Sequence, residues 1–166
     1  MLKSQYVDRG MRVVVVDDEV DFARGLARLV GGHFPGLDVE AVHSGEEALR
    51  TLAANPAQLM ITDLRMPEMT GLQLLSRALG VQPDLSMVVL TAYGTIETAV
   101  EALRAGAYDF LTKPIEQEQL FRVVEKGLER SRLLEENNRL RRILASKEVG
   151  GELVGEVGRQ GALGGP

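Results

Sequence analysis

Short apolar runs alternate along most of the chain with segments of helical periodicity. Five runs read as strands: "MRVVVV" ending at Val16, "LDVEAV" from Leu37 to Val42, "QLMIT" from Gln58 to Thr62, "LSMVVLT" from Leu85 to Thr91, and "AYDFLT" ending at Thr112. The first, third and fourth are nearly continuous in apolar residues, as parallel strands covered on both faces are. In the second, Asp38 and Glu40 alternate with Leu37, Val39 and Ala41, so it belongs nearer an edge. Each gap holds one helix, and the alternation predicts right-handed βαβ crossovers around a parallel sheet. Ser44 with Glu47 three residues on matches a capping box, and Thr95 with Thr98 offers an N-cap before "IETAVEALRAG". Gly106 is placed to close that helix as a C′ glycine.

After Pro114 the helical pattern runs without a breaker from Glu116 to Ala145. At 1.5 Å per residue that is about 45 Å, longer than such short strands can cover, so its end is expected to project beyond the sheet. Leu133, Asn137, Leu140 and Leu144 recur at spacings of four, three and four. Two readings fit: a two-stranded coiled coil with Asn137 at a polar core position, or a solvated linker whose leucines meet another neighbour. Gly127 lowers helix propensity by about 1 kcal/mol against Ala and permits a bend. From Ser146 onward glycine is frequent and the apolar period fails, so this segment is expected to be unstructured.

Composition narrows the function classes. Net charge is −5, which gives no electrostatic footprint for nucleic acid, and direct DNA binding by these residues is not expected. No apolar run has the roughly 18 residues of a membrane span. The opening "MLKSQYVDRGMR" lacks the apolar core of a signal peptide, so the cytoplasm is the expected location. There are no cysteines, hence no disulfide framework and no thiolate metal site.

The chemistry lies at the strand ends. In an open parallel sheet, ligands bind beyond the carboxyl ends of the strands, where the strand order reverses. The first strand ends in Asp17 and Asp18, the third in Asp63, the fourth in Thr91, and the fifth in Lys113 followed by Pro114. Singly, each has a plain explanation as a turn, strand or surface residue. Together they put three acids, a hydroxyl and an ammonium on one edge. Two carboxylates about 4 Å apart repel by roughly 4 kcal/mol at an effective dielectric near 20. The acids after four valines therefore call for a cation or a very wet setting. Mg²⁺, which takes carboxylate, phosphate and water oxygens, suits them. Glu19 is better placed to begin the first helix, where the dipole favours negative charge.

The motifs "VVVVDDE", "LMITDLRMPEMTG", "VVLTAYG" and "AYDFLTKP", in that order, resemble the receiver domain of two-component response regulators over Met11 to Arg130. The resemblance implies a flavodoxin-like (βα)5 α/β fold with strand order 2-1-3-4-5. It also implies Asp63 as phosphoacceptor, and Mg²⁺ held by Asp17, Asp18, Asp63 and the main-chain carbonyl of Arg65. Thr91 would be the switch hydroxyl, Phe110 the switch aromatic and Lys113 the phosphate-pairing lysine before a cis Pro114. Phe110 has core packing as its alternative role. Met66, Pro67 and Gly71 form the loop after the acceptor strand.

Four segments follow: an extension over 1–10, a receiver over 11–130, a linker helix over 131–145, and a Gly-rich tail over 146–166. The stretch "LTAYGTIETAVEALRAGAYDFLTKP" before a long helix is similar to receivers of NtrC-like, sigma-54-dependent transcription activators, whose next modules are an ATPase and a DNA-binding domain. "GELVGE" at 151–156 resembles the opening of that ATPase, but no phosphate-binding loop follows, so no ATPase activity is assigned to this chain. A piece of a longer protein and a naturally short one both fit. The implied partners are a sensor histidine kinase, a second copy of the chain, and the output modules if the protein continues. A stand-alone receiver acting through protein contacts is the alternative. Phosphatases of the haloacid dehalogenase type also use Asp, Mg²⁺, Thr and Lys. They need the nucleophile on the first strand with a second Asp two positions later, where this chain has Glu19.

Overall fold

The computed structural model describes residues 10–92 and 95–155. Five parallel strands form one sheet: β1 (Arg12–Val16), β2 (Asp38–Val42), β3 (Leu59–Asp63), β4 (Ser86–Thr91) and β5 (Asp109–Thr112). Their order is β2-β1-β3-β4-β5, so direction reverses between β1 and β3, and a crevice opens there beyond their carboxyl ends. Val16 pairs with Val42 on one side and with Thr62 on the other, while Asp63 pairs with Leu90. The alternating second strand is indeed the edge. The apolar run predicts that the third strand ends at Thr62; the pairing with β4 carries it one residue on, so Asp63 is a strand residue.

The helices are α1 (Val20–His33), α2 (Gly45–Ala54), α3 (Gly71–Val81), α4 (Ile96–Arg104) and α5 (Gln117–Gly155). Strand alternation sorts the core into two layers. Val13, Val15, Leu59, Ile61, Val88 and Leu90 pack with Ala23, Leu26 and Val30 of α1 and with Leu120, Val124 and Leu128 of α5. Val14, Val16, Met60 and Val89 pack with Ala48 and Leu52 of α2, with Leu74, Leu75 and Ala78 of α3, and with Ala102 of α4. Burial of each such Val or Leu is worth about 1.5–3 kcal/mol, and burial on both faces is why β1 and β4 contain so few polar residues.

Caps differ in detail from the sequence reading. Ser44 accepts from the Glu47 N–H at 3.1 Å, but the Glu47 carboxylate takes the N–H of His43 at 2.9 Å rather than that of Ser44. The reciprocal capping box is at Thr70 and Gln73, a T-x-x-Q signal the sequence carried. Thr95 caps α4 as expected, accepting from the Thr98 N–H. Gly106 has φ 113° after that helix, a conformation only glycine adopts easily.

In α5, Gly127 allows a close contact with the sheet. A Cβ there would overlap Leu59 Cδ1 and lie 3.6 Å from Ser86 Cβ. The buried Ser86 hydroxyl meets the Gly127 carbonyl at 2.8 Å and the Ser131 hydroxyl at 2.7 Å. Ser131 in turn lies 2.6 Å from the Gln58 carbonyl. The helix also runs to Gly155, past the Ala145 end read from the sequence. No proline intervenes, and backbone hydrogen bonding tolerates the Gly150–Gly151 pair at about 1 kcal/mol each. The chain divides between Arg132 and Leu133 into two units. Within the second, Leu133, Asn137, Leu140 and Leu144 are all exposed. The extension over 1–9 and the end of the tail over 156–166 lie outside the described residues.

Candidate functional site

Sheet topology brings the acids together. Asp17 follows β1 and Asp63 ends β3, its neighbour across the reversal point. One ligand oxygen each from Asp17, Asp18 and Asp63 all lie within 4.8 Å of one another. Asp17 is fully buried, Asp63 partly so, and Asp18 is exposed. The Asp17 N–H is tied to the Val42 carbonyl at 3.1 Å, and its Oδ1 accepts from the Glu19 N–H at 3.0 Å. Glu19 itself is the residue before α1.

Lys113 reaches this group from the far edge strand. Its Nζ lies 3.3 Å from Asp17 Oδ2 and 3.8 Å from Asp63 Oδ1. The Lys113–Pro114 peptide is cis. The Lys113 N–H donates to the Thr91 carbonyl at 2.9 Å, joining the ends of β4 and β5. Burial pushes the Asp63 carboxyl above its ordinary range, and the Asp17 charge adds to this, while Lys113 opposes it. One ammonium thus only partly relieves three acids, which leaves room for a further cation.

Thr91 is buried at the end of β4. It shares a sheet face with Val89, whose partner on β5 is Phe110. Phe110 is therefore diagonal to Thr91 on the neighbouring strand, half-buried against the α2–α3–α4 core layer. Arg65 follows Asp63 by two residues with its side chain exposed. The region after Thr91 at Tyr93 and Gly94 lies outside the described residues.

Residues 13–125 match the family model of the response regulator receiver domain. The chain belongs to this family. The C4-dicarboxylate transport transcriptional regulatory protein DctD of Rhizobium meliloti is 36% identical over 145 residues, covering 87% of this chain and 31% of the relative. NtrX from Brucella abortus, solved in complex with ATP, is 34% identical with a TM-score of 0.71, over 78% of this chain and 29% of that one. A receiver domain protein from Clostridium thermocellum is 27% identical with a TM-score of 0.69, over 75% of this chain and 98% of that one. The chain spans less than a third of the length of DctD. Its curated relatives are NtrC-like transcription activators and do not favour the stand-alone reading. A receiver domain is a phosphoacceptor switch rather than an enzyme with turnover. Among the described residues no helix is long and apolar enough to cross a membrane.

Two contributors to this receiver's site, His43 and Phe22, escape sequence reasoning, and a third, Gly71, is read there only as part of the loop after β3. Gly71 begins α3 against the end of β3: a Cβ would overlap the Asp63 carbonyl oxygen and lie 2.7 Å from Leu64 Cα. His43 Nδ1 is 3.2 Å from the Asp17 carbonyl oxygen. Phe22 places its ring centroid 4.2 Å from Lys113 Nζ. Gly71 had a signal, a glycine opening a helix after a turn-rich loop. The other two depend on pairings across the sheet that no local pattern announces.

Proposed function

We propose that this chain is the phosphorylation switch of a cytoplasmic transcription regulator, with Asp63 accepting a phosphoryl group from a sensor histidine kinase. What supports it is convergence: an ammonium from β5 beside carboxylates from β1 and β3, in a cluster with a third acid. Oxygens across an octahedral Mg²⁺ are roughly 4 Å apart, so the all-oxygen set fits that ion. Asp17, Asp18, Asp63 and the Arg65 carbonyl would hold it. When bound, Mg²⁺ neutralises charge on the phosphoryl oxygens and on the acids.

The protein groups divide the rest of the work. An Asp63 carboxylate oxygen forms the new P–O bond while the donor's P–N bond breaks, and the imidazole nitrogen keeps the electron pair. Lys113 stabilises the charge that spreads over the phosphoryl oxygens. Thr91 donates its hydroxyl hydrogen to one of them once the group, carrying about −1.5 to −2 charge, is in place. Thr91 then leaves space that Phe110 enters by rotation, which reshapes the face of α4, β5 and α5. Phosphorylation favours that arrangement by binding it better. Pairing of two chains along Leu133, Asn137, Leu140 and Leu144, and ATPase and DNA-binding modules beyond this segment, would receive the signal.

Incubation with acetyl phosphate and Mg²⁺ tests the acceptor. The intact mass should rise by one phosphoryl group per chain, and both chelation of Mg²⁺ and Asp63→Asn should abolish the gain. Persistence of the adduct in Asp63→Asn would reject the assignment. Amide chemical shifts with and without beryllofluoride test the switch; no change on α4, β5 and α5 would reject it.

A further inference from the structure

Lys113 has a long way to reach. It leaves β5 at one edge of the sheet, yet its ammonium ends beside Asp17 at the end of β1, with β4 and β3 lying between those strands. A flexible four-carbon stem carrying a strongly hydrated charge does not hold such a position unaided. Its ammonium presents three N–H donors. Asp17 at 3.3 Å and Asp63 at 3.8 Å account for two directions. The third side faces the ring of Phe22, whose centroid is 4.2 Å from Nζ, well inside the range in which an aromatic face attracts a cation.

Phe22 lies in the first turn of α1, five residues after Asp17. The same β1–α1 segment therefore carries both the buried carboxylate and the ring, and the two close on the ammonium together. The ring is partly buried and packs against the α1–α5 core layer. We infer that Phe22 is a positioning residue for phosphoryl transfer, its ring face seating the Lys113 ammonium where it serves Asp17 and Asp63. This rests on the reading of Asp63 as phosphoacceptor. An aliphatic side chain of similar bulk would fill the same space but offer no negative face. Lys113 would then sample solvent and arrive at the incoming phosphoryl group less often.

The test compares initial rates of phosphorylation by acetyl phosphate at saturating Mg²⁺, read on phosphate-affinity gels. In this reaction the Asp63 oxygen bonds to phosphorus as the P–O bond to acetate breaks, acetate leaving with the electron pair. Phe22→Leu and Phe22→Met should each slow phosphorylation by about fivefold, within the span that cation–π contacts give, whereas Phe22→Tyr, which restores the ring, should stay within about twofold of the parent. In a Lys113→Met background, Phe22→Leu should have no further effect. Thermal unfolding confirms that each variant is folded, and Phe22→Met keeps the test open if Phe22→Leu does not fold. A folded aliphatic variant as fast as the parent, or a loss that persists undiminished in Lys113→Met, overturns the role of Phe22 while leaving Asp63 as acceptor. No phosphoprotein from the parent chain overturns both.

Discussion

At the scale of single residues, Asp63 carries a cost that its chemistry explains. Burial first, then the Asp17 charge, raises its carboxyl above the ordinary 3.8. An acid with a raised folded-state value favours folding while protonated. That contribution is complete below the unfolded value and is lost as pH rises through the folded one. At neutral pH without metal, the Asp63 charge therefore works against the fold. Asp63→Asn is expected to raise the thermal midpoint at pH 7 in chelator, with the gain shrinking as pH falls through the raised folded value and gone below about 4. Added Mg²⁺ should stabilise the parent more than the variant, because the ion loses one carboxylate in Asn. Scanning calorimetry at two pH values, with and without Mg²⁺, checks all three. Gly71 makes the complementary case. Its missing Cβ faces the backbone of Asp63 and Leu64, which cannot move without shifting the end of β3. Gly71→Ala is thus expected to lose about 2–4 kcal/mol in urea titration and to slow phosphorylation as well. The acids, Thr91 and Lys113 were legible because each ends an apolar run. Phe22 and His43 were not, since what matters about them is a contact between segments remote in sequence.

At the scale of elements, the strands and helices could be read because burial on two faces leaves so little freedom of composition. Val13, Val14, Val15 and Val16 serve alternate core layers, so all four must be apolar. The alternation in β2 likewise announced an edge. The seating of α5 could not be read. Ser131 is a middling helix former that usually signals solvent or a turn. Here it is buried, and it meets Ser86 at 2.7 Å and the Gln58 carbonyl at 2.6 Å. Arg130 Nη1 joins the same group, 3.0 Å from Ser86 Oγ. Gly127 lets the helix come close enough for these bonds, and periodicity alone gives such a glycine no meaning beyond a weak spot. Ser131→Val preserves shape while removing one hydrogen bond from the Ser86 hydroxyl, which keeps Gly127 and Arg130, and one from the Gln58 carbonyl, which keeps the Ser86 N–H. A loss of about 1–3 kcal/mol follows, measurable as a lower urea midpoint at unchanged slope. Ser131→Ala, which opens space for water, should cost less.

At the scale of the whole molecule, the boundary between Arg132 and Leu133 separates two kinds of stability. Up to Arg132 the chain has its own two-layered core. Beyond it, Leu133 is 52% exposed, Leu140 45% and Leu144 63%, so that stretch of α5 holds large apolar side chains in solvent, beside an exposed Arg139–Glu136 pair. An exposed ion pair of this kind adds little to stability. Two copies aligned along the leucines would bury them and place Asn137 against Asn137, which fixes register at some cost in stability. With only two heptads the association should be weak, on the order of micromolar or weaker. Sedimentation equilibrium is expected to show a concentration-dependent dimer that Leu140→Lys abolishes and that Asn137→Leu tightens. Because the leucine lies outside the unit that contains Asp63, Leu140→Lys should leave the acetyl phosphate reaction unchanged. A slower reaction in that variant would show the second unit to be part of the phosphoacceptor's own machinery rather than a reader of it.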